Sequence, residues 1–515
     1  MGRMIATFAL ILHSCVGMAA EVIRSESGEF DLTEGRIASI AIPTSVAERY
    51  WLAELSIPSE VMARVSLKQQ GQTTLLSPYA TGNTKLRFVT SSGDSVLIIE
   101  SIQKHGNTPK IGQWSFTPID QLPFPTVKEI GLDRIVSPML KRIILERGSV
   151  KKSPFVERLP SLPESERLLT FIYQGAEHNV RLLGGPTNDI VELERIEDSK
   201  IWAKSFVVPA DTLLSYRLAP DVPTLEADKR ENRVAILSKA QVDPLNPYIW
   251  PSEGHSLQYS VIDLENQVTK PANKYDPKRL SKHWFRSQTF SNTRSVSLYE
   301  PKDKQVSVSP SLLIMLDGQD YEKRVSVPAR IDRLYDEGEI GPTFVIMINN
   351  PDAQARSSEL PANPKFADFI ADEVIPWVQA TTGHAFKPND VIIAGSSYGG
   401  LAALSVSLER PDKVGHVLSM SGSFWWRDSK GNMRQRLDSA NQLPLSVYLS
   451  VGRFETGRGD SLGIFETNFS ISEALQEKGV PNKLSIFSAG HDYFLWAHAL
   501  EEGLRYLSKT IDKQK

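Results

Sequence analysis

The run Val391-Ile-Ile-Ala-Gly-Ser-Ser-Tyr-Gly-Gly400 constrains this chain more than any other stretch. Four apolar residues read as a buried strand. Gly395-x-Ser397-x-Gly399 follows, and Leu401-Ala402-Ala403 opens a helix with small side chains. A strand turned this sharply into a helix leaves no room for side chains beside the central serine, so glycines flank it. Such a turn presents Ser397 Oγ at the C-terminal edge of a sheet, beside the positive end of a helix. The five-residue pattern by itself is common. The preceding strand, the second glycine and a histidine downstream turn it into a nucleophile.

The surroundings agree. After about residue 280, strand-like runs recur at Leu312–Leu316, Phe344–Ile348, Val391–Ala394, Val417–Met420, Val447–Val451 and Leu484–Phe487. Helical segments such as Phe366–Gln379, Tyr398–Glu409, Phe465–Glu477 and Leu495–Leu507 lie between them. Near-continuously apolar strands alternating with helices mean a mostly parallel sheet covered on both faces. The expected fold class is therefore α/β, with an α/β-hydrolase catalytic domain over 251–515.

Two all-β, sandwich-like regions precede it. In 21–125, alternation recurs in Ile37–Ile42, Ala63–Leu67, Leu86–Val89 and Ser95–Glu100, which predicts a small jelly-roll-like β-sandwich. Residues 126–153 are mixed and basic, a linker with one short helix. Residues 154–250 alternate again at Leu168–Tyr173, Asn179–Leu183, Ile201–Val207 and Leu213–Leu218, fitting an immunoglobulin-like sandwich. Asp243-Pro-Leu-Asn-Pro247 then breaks regular structure and marks a boundary.

At the N-terminus, Arg3, the apolar run Met4–Leu12 and the small-residue stretch Gly17-Met-Ala-Ala20 read as a signal peptide over 1–20. The expected destination is outside a bacterial cytoplasm, in the periplasm. The single cysteine, Cys15, lies in that segment. It leaves a mature chain without disulfides, and Leu12-His-Ser-Cys15 also permits lipoprotein anchoring. No other stretch is long and apolar enough for a membrane span. A net charge of −3 gives no electrostatic case for nucleic acid.

An alcohol needs a base to become a nucleophile at neutral pH. In an elbow-bearing α/β fold that base follows the last core strand. Of nine histidines, only His491, in Ser488-Ala-Gly-His-Asp492, has that order and context. The acid that orients it is expected one strand earlier, where Glu455 leads and Asp460 follows; a Ser–His dyad is the third possibility. The oxyanion is expected to meet the N–H of Tyr398 and that of Gln319, which ends the apolar run Leu313–Leu316 in Asp-Gly-Gln. There is no His-Glu-x-x-His, paired-cysteine or calcium-loop pattern, so neither metal nor cofactor is expected.

Several segments together resemble the enterochelin (enterobactin) esterases and related siderophore trilactone hydrolases. They are Leu316-Asp-Gly-Gln319, Arg356-Ser-Ser-Glu-Leu-Pro-Ala-Asn363, Gly395–Gly400, Ser421-Gly-Ser-Phe-Trp-Trp426, Glu455 and Gly490-His-Asp492. The 155–250 region also looks like the N-terminal domain of the cytoplasmic members, whereas 21–150 lies outside the resemblance. The resemblance implies hydrolysis of catechol-siderophore esters, with iron present only as part of the substrate. It pairs Ser397 with His491 and makes Arg356 a substrate-side arginine, with Trp426 and Trp496 as pocket aromatics. A ferric tris-catecholate is anionic and aromatic-faced, which suits arginine and tryptophan. An export signal and an extra β module depart from the cytoplasmic pattern. A feruloyl- or acetyl-type esterase, or a non-catalytic siderophore- or glycan-binding protein, therefore remains an alternative.

Overall fold

A computed structural model describes residues 26–514 except 34–36, 46–48, 91, 103–107, 120–128, 131–135, 147–149, 226–228, 252–256, 266–274, 304–308 and 458–461. The signal peptide expected over 1–20, with Cys15, therefore lies outside the described residues. No described helix is long and apolar enough to cross a membrane.

The first β region forms two four-stranded antiparallel sheets. One runs Glu26–Asp31, Ile111–Ile119, Arg49–Ile57, Gly82–Thr90; the other runs Ile37–Ser45, Gly93–Ser101, Ala63–Gln69, Gln72–Ala80. Period-two patterning drives the packing: Trp51, Ala53, Leu55 and Ile57 point inward from one strand, against Phe88, Phe116, Leu67 and Leu97.

The second β region is sandwich-like, its two layers joined through the shared strand Val191–Ile196. It is one continuous path of strands: Phe155–Glu157, Glu166–Gln174, Ile201–Pro209, Val191–Ile196, Val180–Leu183, Leu213–Pro220, Tyr259–Asp263, Ile249–Trp250. Glu166–Gln174 and Leu213–Pro220 are four steps apart, roughly 19 Å on a flat sheet. Yet the Phe171 and Tyr216 rings lie 4.9 Å apart, so the sheet curls back on itself. Its boundaries differ from those expected. Tyr259–Asp263 pairs with Leu213–Tyr216, so the module ends near 263 rather than at 250. The Pro-rich break is an internal turn, because the chain returns to add strands. The supposed linker belongs to the module as well. Glu129–Ile130 pairs with Arg195–Ile196, and the helix Pro138–Leu145, capped by Ser137, buries Leu140 against Phe155, Ile172 and Ile196.

The catalytic domain is built on an eight-stranded sheet. Numbered within this domain, its strands are β1 Leu280–Arg286, β2 Thr293–Tyr299, β3 Ser311–Met315, β4 Thr343–Ile348, β5 Val391–Ser396, β6 His416–Met420, β7 Ser446–Gly452 and β8 Asn482–Phe487. The spatial order is β1-β2-β4-β3-β5-β6-β7-β8. The β1–β2 and β2–β4 pairs are antiparallel and the rest parallel. The β1–β2 hairpin was not anticipated, because its strands are partly exposed and polar. Two apolar cores cover the faces: one under Tyr398–Glu409 and Ile464–Glu477, the other under Val327–Asp336 and Tyr493–Gln514. The parallel register sets Ser396 beside Met420, Met420 beside Ser450 and Gly452 beside Phe487. The loops leaving β5, β6, β7 and β8 therefore emerge together at one edge, where sheets of this kind carry their chemistry.

Candidate active site

Ser397 caps the helix Tyr398–Glu409 with φ 56° and ψ −119°, a strained conformation for a non-glycine residue. The neighbouring backbone explains why the turn tolerates little else. A Cβ on Gly395 would lie 2.6 Å from the Gly399 carbonyl carbon, and one on Gly400 would lie 2.6 Å from Ser419 Oγ and 3.0 Å from Gly422 Cα. Ser397 N donates to Met420 O (2.9 Å), and Ser397 O accepts from Ser423 N (3.0 Å), so the elbow is tied to the loop after β6. Ser423 also reaches the nucleophile position itself, with the two hydroxyl oxygens 3.2 Å apart.

The loop after β7 holds Glu455 and the loop after β8 holds His491. Glu455 is 1% exposed, and a carboxylate so buried needs partners. Its Oε1 lies 2.5 Å from His491 Nδ1, and its Oε2 accepts from Ser421 Oγ (2.8 Å) and Gly452 N (2.6 Å). Asp460, the other candidate acid, lies outside the described residues. The structure thus brings Glu455 and His491 together, with Ser397 at the same sheet edge, two strands from β7. Ser397 Oγ is hydrogen-bonded to Ser423, not to His491.

Asp317, in the left-handed region at φ 53°, turns the chain out of β3 beside the elbow. Gly318 follows because a Cβ there would come within 2.6 Å of Ile348 N on the neighbouring strand. This places buried Gln319 at the start of a short helix, with the Tyr398 N–H at the start of the long one. N–H groups at a helix start lack intrahelical acceptors and can meet a developing oxyanion.

Arg356 sits on the helix Ala353–Glu359 after β4 and forks onto Asp317: Nε to Oδ1 at 2.7 Å, Nη2 to Oδ2 at 2.8 Å. Asn350 Nδ2 adds a third bond to Asp317 Oδ1 at 2.5 Å. Burial opposes the guanidinium charge, but the Asp317 carboxylate more than offsets it and holds the pKa above its ordinary value. The side chain keeps 32% exposure, with Cζ 5.8 Å from the Tyr398 ring centroid. Arg356 is therefore a partly accessible cation fixed beside the nucleophile, and its first role is to neutralise Asp317.

The two tryptophans named from the sequence are placed differently: Trp496 is buried and Trp426 partly exposed. Trp496 is 4% exposed, and its Nε1 donates to Ser421 Oγ at 2.9 Å. Its ring meets the His491 ring edge-on at 4.9 Å, so it supports the acid–imidazole pair from below rather than lining a pocket. Trp426 packs on the core with Arg436 5.9 Å from its ring. Its neighbour Trp425 is more exposed, at 46%, with its ring 6.1 Å from that of the partly exposed Tyr398. Sequence reasoning missed Ser421, Ser423 and Trp425. The available signal was the Ser-Gly-Ser run at the end of the strand next to the elbow. No group of described His, Cys, Asp and Glu side chains is arranged to hold a metal.

Asp492, beside His491, is half-buried and accepts from Leu495 N (2.9 Å) and Ser215 N (3.2 Å). Burial pushes its pKa up from 3.8 to about 6, and the N–H bonds only partly oppose this. A carboxyl with a raised folded pKa contributes most below its unfolded pKa and loses that contribution as pH rises through the folded value. The stability of the wild type relative to Asp492→Asn is therefore expected to fall by about 2 kcal/mol between about pH 4 and about pH 7. Urea unfolding at both pH values measures it. A pH-independent difference would refute the assignment.

An elbow serine, an imidazole oriented by a buried carboxylate and N–H groups at two helix starts are the parts of an acyl-transfer site on an α/β-hydrolase sheet. The comparisons give the class: a "Putative esterase" family model matches 287–507, and one for the enterochelin esterase N-terminal region matches 170–272. Together they span more than half of the chain, and residues before 170 lie outside both. The protein is an esterase. The chain belongs to the enterochelin (enterobactin) esterase family of α/β-hydrolases. It is similar to the iron(III) enterobactin esterase of Dickeya dadantii, with 27% identity over 64% of this chain and 81% of that one. It is also similar to the iron(III) salmochelin esterase of Escherichia coli O6:H1, with 26% identity over 67% of this chain and 88% of that one. Among solved structures, the ferric enterobactin esterase of Salmonella typhimurium matches with TM-score 0.59 and 25% identity, over 70% of this chain and 97% of that one.

Proposed function

We propose that this protein is an exported esterase that opens the ester bonds of a ferric catechol siderophore and thereby releases iron. In this reading Ser397 Oγ attacks the ester carbonyl and His491 takes its proton. Glu455 holds the imidazole, while the N–H groups of Tyr398 and Gln319 face the oxyanion. The ester C–O bond then breaks as His491 gives that proton to the departing alcohol, and water cleaves the acyl-enzyme with the neutral His491 as base. The iron is cargo of the substrate, and the reaction needs no metal or cofactor of the protein's own. What supports the substrate class is the surface around Ser397: the Tyr398 and Trp425 rings with the partly exposed Arg356 guanidinium against Tyr398. That surface complements an anionic, aromatic ligand, and the relatives act on such esters by name. Export rests on the N-terminal Arg3, apolar run and Gly17–Ala20 stretch, with the periplasm as destination and Cys15 as a possible lipid anchor.

The test is purified protein with ferric enterobactin, with linear ester products followed by chromatography. Turnover by the wild type and none by Ser397→Ala is expected. No siderophore turnover, with a feruloylated polysaccharide cleaved well, would overturn the substrate class.

Arg356 gives a finer test. Arg356→Met would strand the buried Asp317, so Arg356→Lys is the better probe: it keeps a charge there but loses the fork. Its kcat/KM for the ferric siderophore is expected to fall about tenfold, with a neutral short-chain ester within about twofold. Steady-state kinetics on both substrates checks this. Equal loss on both would make Arg356 purely structural.

A further inference from the structure

β8 is the edge strand of the catalytic sheet, so the loop leaving it has no further strand of that sheet beside it. The second β module takes that place. Leu213 N donates to Ser488 O at 2.9 Å, and Leu213 forms a parallel bridge with Ala489. Two residues along the same strand, Ser215 N donates to Asp492 Oδ2. Between these anchors, the Gly185 carbonyl lies 3.9 Å from where a Gly490 side chain would begin. On its other side the His491 loop meets the acid loop, since Phe454 N donates to Ala489 O at 3.0 Å.

The acid loop is held by the same module. Phe454 packs against the module's core of Phe171, Trp202, Leu214 and Tyr216. Asn188 Nδ2, on the loop after Val180–Leu183, donates to Thr456 O at 3.0 Å. The module therefore grips residues 454 and 456, on either side of Glu455, and residues 488 to 492, around His491. Besides the apolar packing of Leu213, Val261 and Trp250 on the helix Tyr493–Gln514, the module thus holds the immediate neighbours of both side chains.

We propose that the 155–263 β module is a positioning element of the reaction: it sets the His491–Glu455 geometry, with Phe454 and Asn188 as positioning residues. Neither touches substrate in this account. The proposal rests on the serine-esterase reading of Ser397, His491 and Glu455. A buried hydrogen-bonded pair on two edge loops is sensitive to small displacements, and a misplacement of about 1 Å costs roughly a hundredfold in rate.

The experiment uses the full chain and a neutral chromogenic short-chain ester. In the Asn188→Ala/Phe454→Ala double variant, kcat is expected to fall about 30- to 100-fold with KM within about twofold. The thermal midpoint should stay within a few degrees of wild type. The far-downfield proton resonance of an imidazole Nδ1–H bonded to a carboxylate should weaken or shift. Phe454→Leu alone, which refills most of the volume, should retain most of kcat. Two results would overturn the proposal: a kcat within about twofold of wild type, or a loss matching the unfolded fraction with the resonance intact. Wild-type turnover abolished by Ser397→Ala supports the underlying reading separately. A wild type inactive on every ester would overturn that reading and this proposal with it.

Discussion

Ser397→Ala lowers turnover of an activated short-chain ester by about 10³-fold or more, with the fold intact. The substitution removes only the hydroxyl. Its hydrogen-bond partner is Ser423 Oγ at 3.2 Å, a contact whose loss leaves no buried charge. Alanine also lacks a polar side chain that could replace the nucleophile, so no covalent acyl-enzyme forms. The strained φ of 56° is as available to alanine as to serine, so the thermal midpoint stays close to wild type. Stopped-flow or steady-state release of the chromophore, beside a thermal melt, reads both quantities. Near-wild-type hydrolysis by Ser397→Ala would remove Ser397 from the chemistry altogether.

Glu455→Gln is expected to lower kcat by about 10³- to 10⁴-fold, the cost of favouring the wrong imidazole tautomer. Glu455 accepts from three groups at once: the His491 imidazole, the Ser421 hydroxyl and the Gly452 amide. A glutamine can turn only one oxygen toward them. If that oxygen stays on Ser421 and Gly452, its NH₂ faces Nδ1 and stabilises the tautomer with the proton on Nε2, which cannot accept the serine proton. If it turns to His491 instead, the NH₂ faces two donors in a buried site. Either way KM for a neutral ester should change far less than kcat. A kcat within about threefold of wild type in both Glu455→Gln and Asp460→Asn would establish a Ser–His dyad. The same loss produced instead by Asp460→Asn would move the acid to that residue.

Legibility varied from residue to residue for physical reasons. The elbow was readable because its strain is local: Gly395, Ser397, Gly399 and Gly400 lie within six positions and crowd one another. The strands β3 to β7 were readable because burial on both faces makes them continuously apolar. The β1–β2 hairpin was not, because partly exposed polar strands lack that signature. The relative exposure of two neighbouring tryptophans was unreadable for a similar reason. Trp425 and Trp426 are adjacent in sequence, and only the path of the loop after β6 decides which ring is the more exposed.

By itself, then, the sequence determined the chemistry that short-range sterics and periodicity encode: an elbow serine, a histidine after the last core strand, and an α/β sheet beneath them. Tertiary structure alone decided the pairings between distant segments. Arg356 turned out to fork onto Asp317, Trp496 to support Ser421, and the module strand Leu213–Pro220 to flank the His491 loop. Those contacts depend on strand register and on how a curled sheet docks against an edge strand. Both are set by the sum of packing over hundreds of residues, and neither leaves a mark in the spacing of the residues that finally meet.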